Sequence, residues 1–291
     1  LYGRTPAPAE ATRALAFLAE VRGQKPDATA QNAAAVDLTS EKVPFRDGQG
    51  LRLEAGNTNL LTAERTTRLD LSAGFTIEAV IVPRSVSDGA TVRAIASQGV
   101  KSSKEGSWQF GITGQKSRRT PLALVLQGFG QLADGKFGEA VYFSNLRLTL
   151  HKPYYVAAAL TFAKDGQPGT VVFTLKDLAN DDEPLLHEQV TGRLARLDTG
   201  THPFHPGGKH GEPEGSFHGV IDDVRLSAGA LPDSLLLYAS EDAQPSTLGF
   251  WRFENKTGLT KDSSGQGRDL TIATGKKPVA KNADRTPLAA L

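Results

Sequence analysis

The sequence predicts an all-β protein, a sandwich or barrel of short antiparallel strands. Apolar and polar residues alternate with a period of two in many short runs between Gly50 and Ile272, as they do in half-buried strands. Gly, Pro, Asp and Lys residues separate these runs and mark turns. One run in this region, Leu231–Ala239 (LPDSLLLYA), predicts a helix instead.

Composition excludes some classes of partner. The 291 residues carry a formal net charge of +1, because 33 Lys and Arg nearly balance 32 Asp and Glu. This balance argues against nucleic acid or an anionic membrane as the partner. Without Cys the chain has no disulfide, thiolate metal site or cysteine nucleophile. No apolar run is long enough to insert into a membrane, and no signal peptide is visible. Because Met is also absent, we expect a processed or excised piece of a longer polypeptide.

The first 49 residues predict a helix and a linker. In residues 1–23, Thr5 is a plausible N-cap and Pro6 suits the first helical position, so we expect a helix that packs on a neighbouring domain. Residues 24–49 are polar and rich in Ala with little periodicity. They predict a linker that becomes a first edge strand near Val43–Phe45.

The strands of the predicted sandwich follow from Gly50 to Ile272. Each is recognised by apolar residues at alternate positions. The strongest sets are Leu51 and Leu53; Phe75, Ile77, Ala79 and Ile81; Trp108, Phe110 and Ile112; Leu122, Leu124 and Leu126; Leu146, Leu148 and Leu150; Tyr154, Val156, Ala158, Leu160 and Phe162; and Val171, Phe173 and Leu175. Residues 273–291 are polar and contain Pro, and they predict a tail.

The stretch Phe217–Leu231 (FHGVIDDVRLSAGAL) predicts a strand, a turn and the start of a short helix. Asp223 and Arg225 are expected on one face of the strand, and Asp222 on the other. The face of Asp222 is otherwise apolar and carries Val220, Val224 and Leu226. A carboxylate on an apolar face is costly unless it is hydrogen-bonded, paired or bound to a cation. We therefore expect Asp222 to be buried and satisfied by backbone N–H groups or by a calcium ion.

Four segments carry a family resemblance: GVIDDVRL, SAGFTIEAVIVP, YYVAAALTF and GFWRFENKTGLTKDSSGQGRDLTI. They resemble motifs of laminin-G-like modules, which belong to the concanavalin A-like class. The resemblance implies a two-sheet antiparallel jelly-roll sandwich over residues 50–272, and many such modules carry a structural calcium at the rim. The segment LYGRTPAPAEATRALAFLAE resembles the last helix of an uncharacterised domain of large secreted planctomycete-type proteins. That resemblance implies that residues 1–23 end an upstream module and that the location is extracellular or periplasmic.

Glycosidases share this sandwich class, so paired carboxylates are the first chemistry to test. Retaining enzymes hold two carboxyl groups about 5–5.5 Å apart. No strand offers acidic residues at i and i+2 or i+4 in such a pattern, and Glu78 stands alone on its strand. Asp222 and Asp223 are adjacent and point to opposite faces. The sequence therefore predicts no enzyme, with a degenerate glycoside hydrolase as the less favoured alternative.

Two loops contain residue types that bind metals. The segment THPFHPGGKHGEPEGSFHG, from His202 to His218, holds four His residues, but its Pro and Gly content favours a solvent-exposed loop over a zinc or copper site. The segment LTKDSSGQGRDL is rich in oxygen ligands around two Gly residues. Asp222, Asp262 and Asp269 are the candidate ligands of a structural calcium ion. The alternative for Asp262 is a turn in which its carboxylate caps its own backbone.

Aromatic residues are the candidate contacts for a sugar, because ring faces and sugar C–H faces are both apolar. Trp108 and Trp251 alternate with polar neighbours and are predicted to be core. Tyr142 and Tyr155 lie off the main apolar faces and are the candidate ligand-binding residues. We predict a non-catalytic binding module of a larger secreted bacterial protein, with a glycan as the first choice of partner. A structural docking module that binds protein and no sugar is the main alternative.

Overall fold

The computed structural model describes residues 38–274 with the exception of residues 44, 46–47, 57–58, 64–68, 100–104, 201, 210–211 and 255–257. In this part of the chain the elements are strands and two short 3₁₀ turns, without an α-helix. No helix there has the length and hydropathy of a membrane-spanning segment. The helix predicted for residues 1–23 and the tail from residue 275 onward lie outside the described residues and stay predictions.

One half of the fold is an eight-stranded sheet. Its members are β1 (Ser40–Lys42), β2 (Gln49–Leu53), β4 (Phe75–Pro83), β9 (Tyr154–Thr161), β10 (Gly169–Asp177), β11 (Leu186–Gly192), β14 (Gly219–Ala228) and β15 (Thr247–Trp251). Their order is β1-β2-β14-β4-β9-β10-β11, and β15 also pairs with β14. All of these pairings are antiparallel. The first edge strand thus ends just before Val43, where the sequence predicted it to begin.

The other half is a second eight-stranded antiparallel sheet. Its members are β3 (Asn59–Ala63), β5 (Arg93–Gly99), β6 (Ser107–Ile112), β7 (Ala123–Leu132), β8 (Phe137–Arg147), β12 (Leu194–Arg196), β13 (Phe204–Pro206) and β16 (Leu270–Thr274). Their order is β12-β7-β6-β5-β13-β3-β16, and β8 pairs with β7 at the edge. The predicted all-β fold of two antiparallel sheets is confirmed.

Both sheets contribute their apolar faces to one core. Ring contacts cross from one sheet to the other: Phe75 of β4 lies 4.6 Å from Trp108 of β6, measured between ring centroids. Phe204 of β13 stacks on Trp251 of β15 at 4.8 Å. Both tryptophans are buried, which confirms their prediction as core residues. Each large apolar side chain buried in this way contributes on the order of 1.5–3 kcal/mol.

The strand β14 contains a β-bulge that the sequence pattern did not reveal. Its pairing with β4 shifts register between Asp222 and Arg225, and Asp223 takes a positive φ of 47°. An extra residue at a bulge reverses the faces of all residues that follow it. Val220 therefore faces away from the main core, whereas Val224 lies in that core. The prediction that Val220 and Val224 share one face is wrong for this reason.

The helix predicted at Leu231–Ala239 is also wrong. A 3₁₀ turn forms at Asp233–Leu235, and Leu236 is already extended, with ψ of 151°. The backbone of this segment forms hydrogen bonds with buried side chains of the first sheet. The carbonyl oxygen of Leu235 accepts a hydrogen bond from Arg225, and the N–H of Leu237 donates one to Glu78. A helix would use this carbonyl oxygen and this N–H group in its own hydrogen bonds. Residues 231–239 instead cover the outer face of the first sheet in an irregular conformation, and we call them the strap.

Candidate functional site

A buried ion pair occupies the outer face of the first sheet. Glu78 on β4 and Arg225 on β14 are direct cross-strand partners, and both side chains are 0% exposed. The Nε–H of Arg225 donates to Oε2 of Glu78 at 2.8 Å. The Nη1 and Nη2 groups donate to the carbonyl oxygens of Asp242 and Leu235, at 2.9 and 2.6 Å. The sequence pattern placed Arg225 on the face opposite to Asp222 and gave Glu78 no partner. The Glu78–Arg225 pair was not predicted, because the two residues are 147 positions apart in the chain.

Tyr155 belongs to this same buried network. Its hydroxyl donates to Oε1 of Glu78 at 2.7 Å, and the ring is fully buried next to Tyr238, at 5.6 Å between centroids. Burial, followed by the charge of Glu78, raises the pKa of Tyr155 well above its ordinary value, so the hydroxyl remains a donor. The sugar-stacking role predicted for Tyr155 needs an exposed ring face, and this ring has none.

Tyr142, the other predicted sugar contact, is fully buried as well. Its ring lies directly behind Gly192, where a Cβ atom would come within 2.3 Å of the ring. Its hydroxyl accepts the N–H of Leu194 at 3.3 Å. Tyr142 therefore cannot stack on a sugar from solvent. It packs against the backbone of residues 192–194 instead.

The acidic residues predicted to hold calcium do not form a common site. His, Asp and Glu in the described ranges form no group of three or more that could hold a metal ion. Asp222 is buried as expected, and its Oδ1 accepts the N–H of Asp223 at 2.9 Å. Asp223, expected on the opposite face, is equally buried and lies at the bulge. Its carboxylate lies 3.6 Å from the Nε of Arg252.

The carboxylate of Asp262 caps a turn. Oδ1 accepts the N–H groups of Phe250 and Ser264, at 3.0 and 2.9 Å. Oδ2 accepts the Ser264 hydroxyl and the Arg268 N–H, both at 2.8 Å. Asp269 accepts the Asp262 N–H and pairs with Lys261. A calcium ligand must offer free oxygen lone pairs, and these carboxylates already face N–H and O–H donors. The Asp262 carboxylate thus shows the self-capping arrangement, and calcium binding by Asp262 and Asp269 stays a prediction.

The His residues of the loop before β14 diverge. His202 lies 2.5 Å from Glu105, and His205 is buried beside the carbonyl oxygen of Leu61. His218 contacts the Ser85 hydroxyl at 2.7 Å, and burial lowers its pKa. His210 lies outside the described residues. The three described imidazoles have three different partners, so they do not converge as zinc ligands would.

Three chain segments meet around a cleft of about 320 Å³ that lies beyond the ends of several strands. We call it the loop-end cleft. It is lined by residues 163–168 after β9, by Gly192, Arg193 and Ala195 around the junction of β11 and β12, and by Ala133 after β7. The N–H of Ala133 donates to the carbonyl oxygen of Arg193 at 2.8 Å, and the N–H of Ala163 donates to that of Leu194 at 2.8 Å. These bonds fix the three segments to one another, and Tyr142 supports the Gly192 wall.

The outer face of the β7–β8 hairpin carries exposed aromatic and amide groups. We call Gln127, Phe129, Gln131, Phe137 and Glu139 the hairpin platform. They face outward because the alternate residues, such as Leu126 and Leu132, lie in the core. Gln131 is paired with Phe137, and Phe129 with Glu139. The two rings meet edge to face, with centroids 5.1 Å apart, and Phe137 is 40% exposed.

The platform and the cleft were not predicted from the sequence. The turn signal Ala-Asp-Gly-Lys before Phe137 indicates a hairpin, but it does not indicate an exposed ring. The hairpin signal Lys164-Asp165-Gly166-Gln167 was visible as well. The sequence alone does not show that this turn lies next to residues 192–195 and Ala133.

Several solved structures are similar to this chain. The enzymatically active domain of tailspike protein 2 from bacteriophage CBA120 is 19% identical, with a TM-score of 0.44 over 69% of this chain and 29% of its own. A candidate carbohydrate-binding protein from Bacteroides ovatus is 17% identical, with a TM-score of 0.44 over 77% and 59%. An SAP-like pentraxin from Limulus polyphemus is 13% identical, with a TM-score of 0.36 over 75% and 86%.

The chain thus spans less than two thirds of the length of the tailspike domain and of the Bacteroides protein. No protein-family model matches it, and no curated protein does. With TM-scores below 0.5, the structural matches carry no argument about residue roles or ligands. The candidate sites rest on the contacts described above.

Proposed function

We propose that this chain is a non-catalytic carbohydrate-binding module of the laminin-G-like class, within a larger secreted bacterial protein that acts outside the cell or in the periplasm. The observation that carries the binding role is the hairpin platform, where an exposed ring stands among amide groups. The family assignment and the location rest on the sequence motifs.

The platform has the chemistry that a sugar surface requires. A pyranose presents an apolar C–H face to an aromatic ring and hydroxyl groups at its edge. Phe137 offers the ring, and its cross-strand partner Gln131 offers an amide that both donates and accepts hydrogen bonds. Gln127, held by a hydrogen bond from Gln109, supplies a second, oriented amide on the same face. Aromatic groups with a few oriented polar neighbours are the usual composition of a ligand site.

We expect Phe137→Leu to weaken glycan binding about tenfold, equivalent to about 1.4 kcal/mol. Leucine retains an apolar side chain but removes the flat ring face. Wild type and variant would be screened on an array of plant, algal and bacterial polysaccharides, and each glycan that binds would be measured again by calorimetry.

Tyr238→Leu is the matched control, because Tyr238 is also 40% exposed but lies over the other sheet, against Tyr155. It should leave glycan affinity unchanged. If the wild type bound no glycan on the array, the proposal would be contradicted and the protein-docking alternative favoured. Equal affinity of Phe137→Leu and wild type would remove the platform as the site.

We expect no glycosidase turnover. Glu78, the acidic residue within β4, is fully buried, and its two oxygens accept bonds from Tyr155, Leu237 and Arg225. A carboxylate held in this way is neither a free nucleophile nor a proton donor to substrate. Reducing-end assays on β-glucan and galactan should stay at background. Release of sugar that an Asp or Glu substitution abolishes would show the chain to be an enzyme.

A further inference from the structure

We infer that Ser85 is an activated nucleophile that accepts an acyl group from an activated ester or thioester. His218 is the general base of this step, and Glu54 is the positioning residue that orients His218. The inference concerns another part of the chain than the hairpin platform and does not depend on glycan binding. Acylation of one serine is a covalent modification, so it is compatible with a module that has no turnover.

The three side chains lie at one end of the first sheet. The first residue of β14, Gly219, pairs with the last residue of β2 and with the last residue of β4. Glu54 directly follows β2, His218 directly precedes β14, and Ser85 lies two residues beyond β4. The N–H of Arg84 donates to the carbonyl oxygen of His218 at 2.9 Å, which continues the pairing of β4 and β14. The register of the sheet thus brings residues that are distant along the chain to one place.

The contacts have the order of nucleophile, base and orienting carboxylate. The Oγ of Ser85 lies 2.7 Å from the Nδ1 of His218, and the Nε2 of His218 lies 3.5 Å from the Oε2 of Glu54. An ionised carboxylate only accepts hydrogen bonds, so Glu54 favours the tautomer of His218 that carries its proton on Nε2. In that tautomer Nδ1 accepts the Ser85 hydroxyl, which is the arrangement of an activated serine. Ser85 and His218 are both partly exposed, so a small solute reaches them from solvent.

The surroundings favour the neutral imidazole, the state in which His218 can take a proton. Burial is the largest effect and lowers the pKa of His218, whereas the Glu54 carboxylate raises it. The positive charges of Arg93, Arg84 and Arg52 also lower the pKa of His218. The hydrogen bond from Arg52 lowers the pKa of Glu54, which keeps that carboxyl ionised. The base and the carboxylate are therefore both in the states that the step requires.

The acyl transfer balances with these groups and the donor alone. As the Oγ of Ser85 attacks the carbonyl carbon of the donor, an O–C bond forms and the hydroxyl proton passes to Nδ1 of His218. The bond from the carbonyl carbon to the leaving oxygen or sulfur then breaks, and the leaving group departs with its electron pair. The proton passes from His218 to the leaving group or to water, and Ser85 remains as an ester. Aryl esters and thioesters suit this step, because their leaving groups depart readily.

The experiment uses p-nitrophenyl acetate, which releases coloured p-nitrophenolate when it transfers its acetyl group. The release by the full chain is followed by absorbance, and the acetylated residue is located by peptide mass spectrometry. Ser85→Ala removes the nucleophile, and His218→Gln removes the base. Ser87→Ala is the matched control, because Ser87 lies on the same loop but its Oγ accepts the N–H of Gly89 at 3.1 Å.

We expect a burst of about one equivalent of p-nitrophenolate, with the acetyl group on Ser85. The rate should rise with pH as His218 loses its proton, with an inflection below the ordinary pKa of histidine. His218→Gln should slow acetylation about hundredfold, the lower end of the range for general-base catalysis, and remove the inflection. Glu54→Gln should move the inflection to lower pH, because Glu54 raises the pKa of His218. Ser87→Ala should react as wild type does.

Acetyl groups found on lysines but not on Ser85 would overturn the inference, and so would equal rates for the wild type and His218→Gln. The location of the acetyl group is read in the wild type, so this test does not depend on the folding of a variant. Continued release after the burst, abolished by Ser85→Ala, would support Ser85 as the nucleophile and contradict the non-catalytic function instead. Failure of the wild type to bind glycans would contradict the proposed function and leave the acylation of Ser85 standing.

Discussion

Replacing Arg225 with methionine should lower the free energy of unfolding by about 3–5 kcal/mol, the cost of removing one partner of a buried ion pair. The substitution leaves the Glu78 carboxylate fully buried and without its cation. It also leaves the carbonyl oxygens of Leu235 and Asp242 without their donor, which loosens the strap over the first sheet. Urea unfolding followed by tryptophan fluorescence measures the loss, since both tryptophans lie in the core.

Arg52→Met is the matched control for this prediction. The Nε of Arg52 lies 2.7 Å from Glu54, nearly the distance of the buried pair, but its side chain is 44% exposed and that of Glu54 is 56% exposed. Exposed pairs contribute about 0–1 kcal/mol, so we expect a loss in that range. Similar losses for the two variants would contradict the view that burial decides the contribution of the Arg225 pair.

Local pattern was sufficient to predict several of the strands but not the faces of β14. The alternation in Phe75–Pro83 and Tyr154–Thr161 predicted β4 and β9, because each strand buries one face in the core at every second residue. Within β14, the bulge at Asp222–Arg225 inserts one residue and reverses that alternation. A bulge is fixed by the pairing with β4, and the sequence of β14 alone does not contain that partner.

The turn at Asp262 was predicted from local sequence, whereas the sites formed by residues distant along the chain were not. The Asp262 turn is local, so the sequence already offered self-capping as an alternative to calcium. The buried Glu78–Arg225 pair and the loop-end cleft join residues that are distant along the chain. Tyr155 lies off the main core, as alternation indicated, but Tyr238 of the strap packs against its ring. Tyr142 lies within the main core instead, with its ring against Gly192. Exposure of an aromatic ring therefore depended on packing that no local pattern encodes.

Replacing Asp262 with alanine should destabilise the protein by about 2–3 kcal/mol. The carboxylate accepts four hydrogen bonds, three of them from the backbone N–H groups of Phe250, Ser264 and Arg268. An unsatisfied buried donor costs about 1–3 kcal/mol, and the partial exposure of this turn lets water replace some of the lost bonds. The cap also joins the turn to β15, because Phe250 belongs to that strand. Chemical denaturation of the variant measures the loss.

A control substitution and a chelator separate capping from metal binding at this turn. Asp269→Ala should cost about 1 kcal/mol or less, because the Asp269 side chain is 44% exposed and its partners are one N–H group and the exposed Lys261. If the oxygens of Asp262 are occupied by donors of the chain itself, a chelator such as EDTA should leave the Tm of the wild type unchanged. A ligand stabilises a fold only by binding it, so a bound calcium ion would add stability that EDTA removes. A Tm that falls in EDTA and recovers with calcium in the wild type, but not in Asp262→Ala, would contradict the capping role and assign these oxygens to a metal.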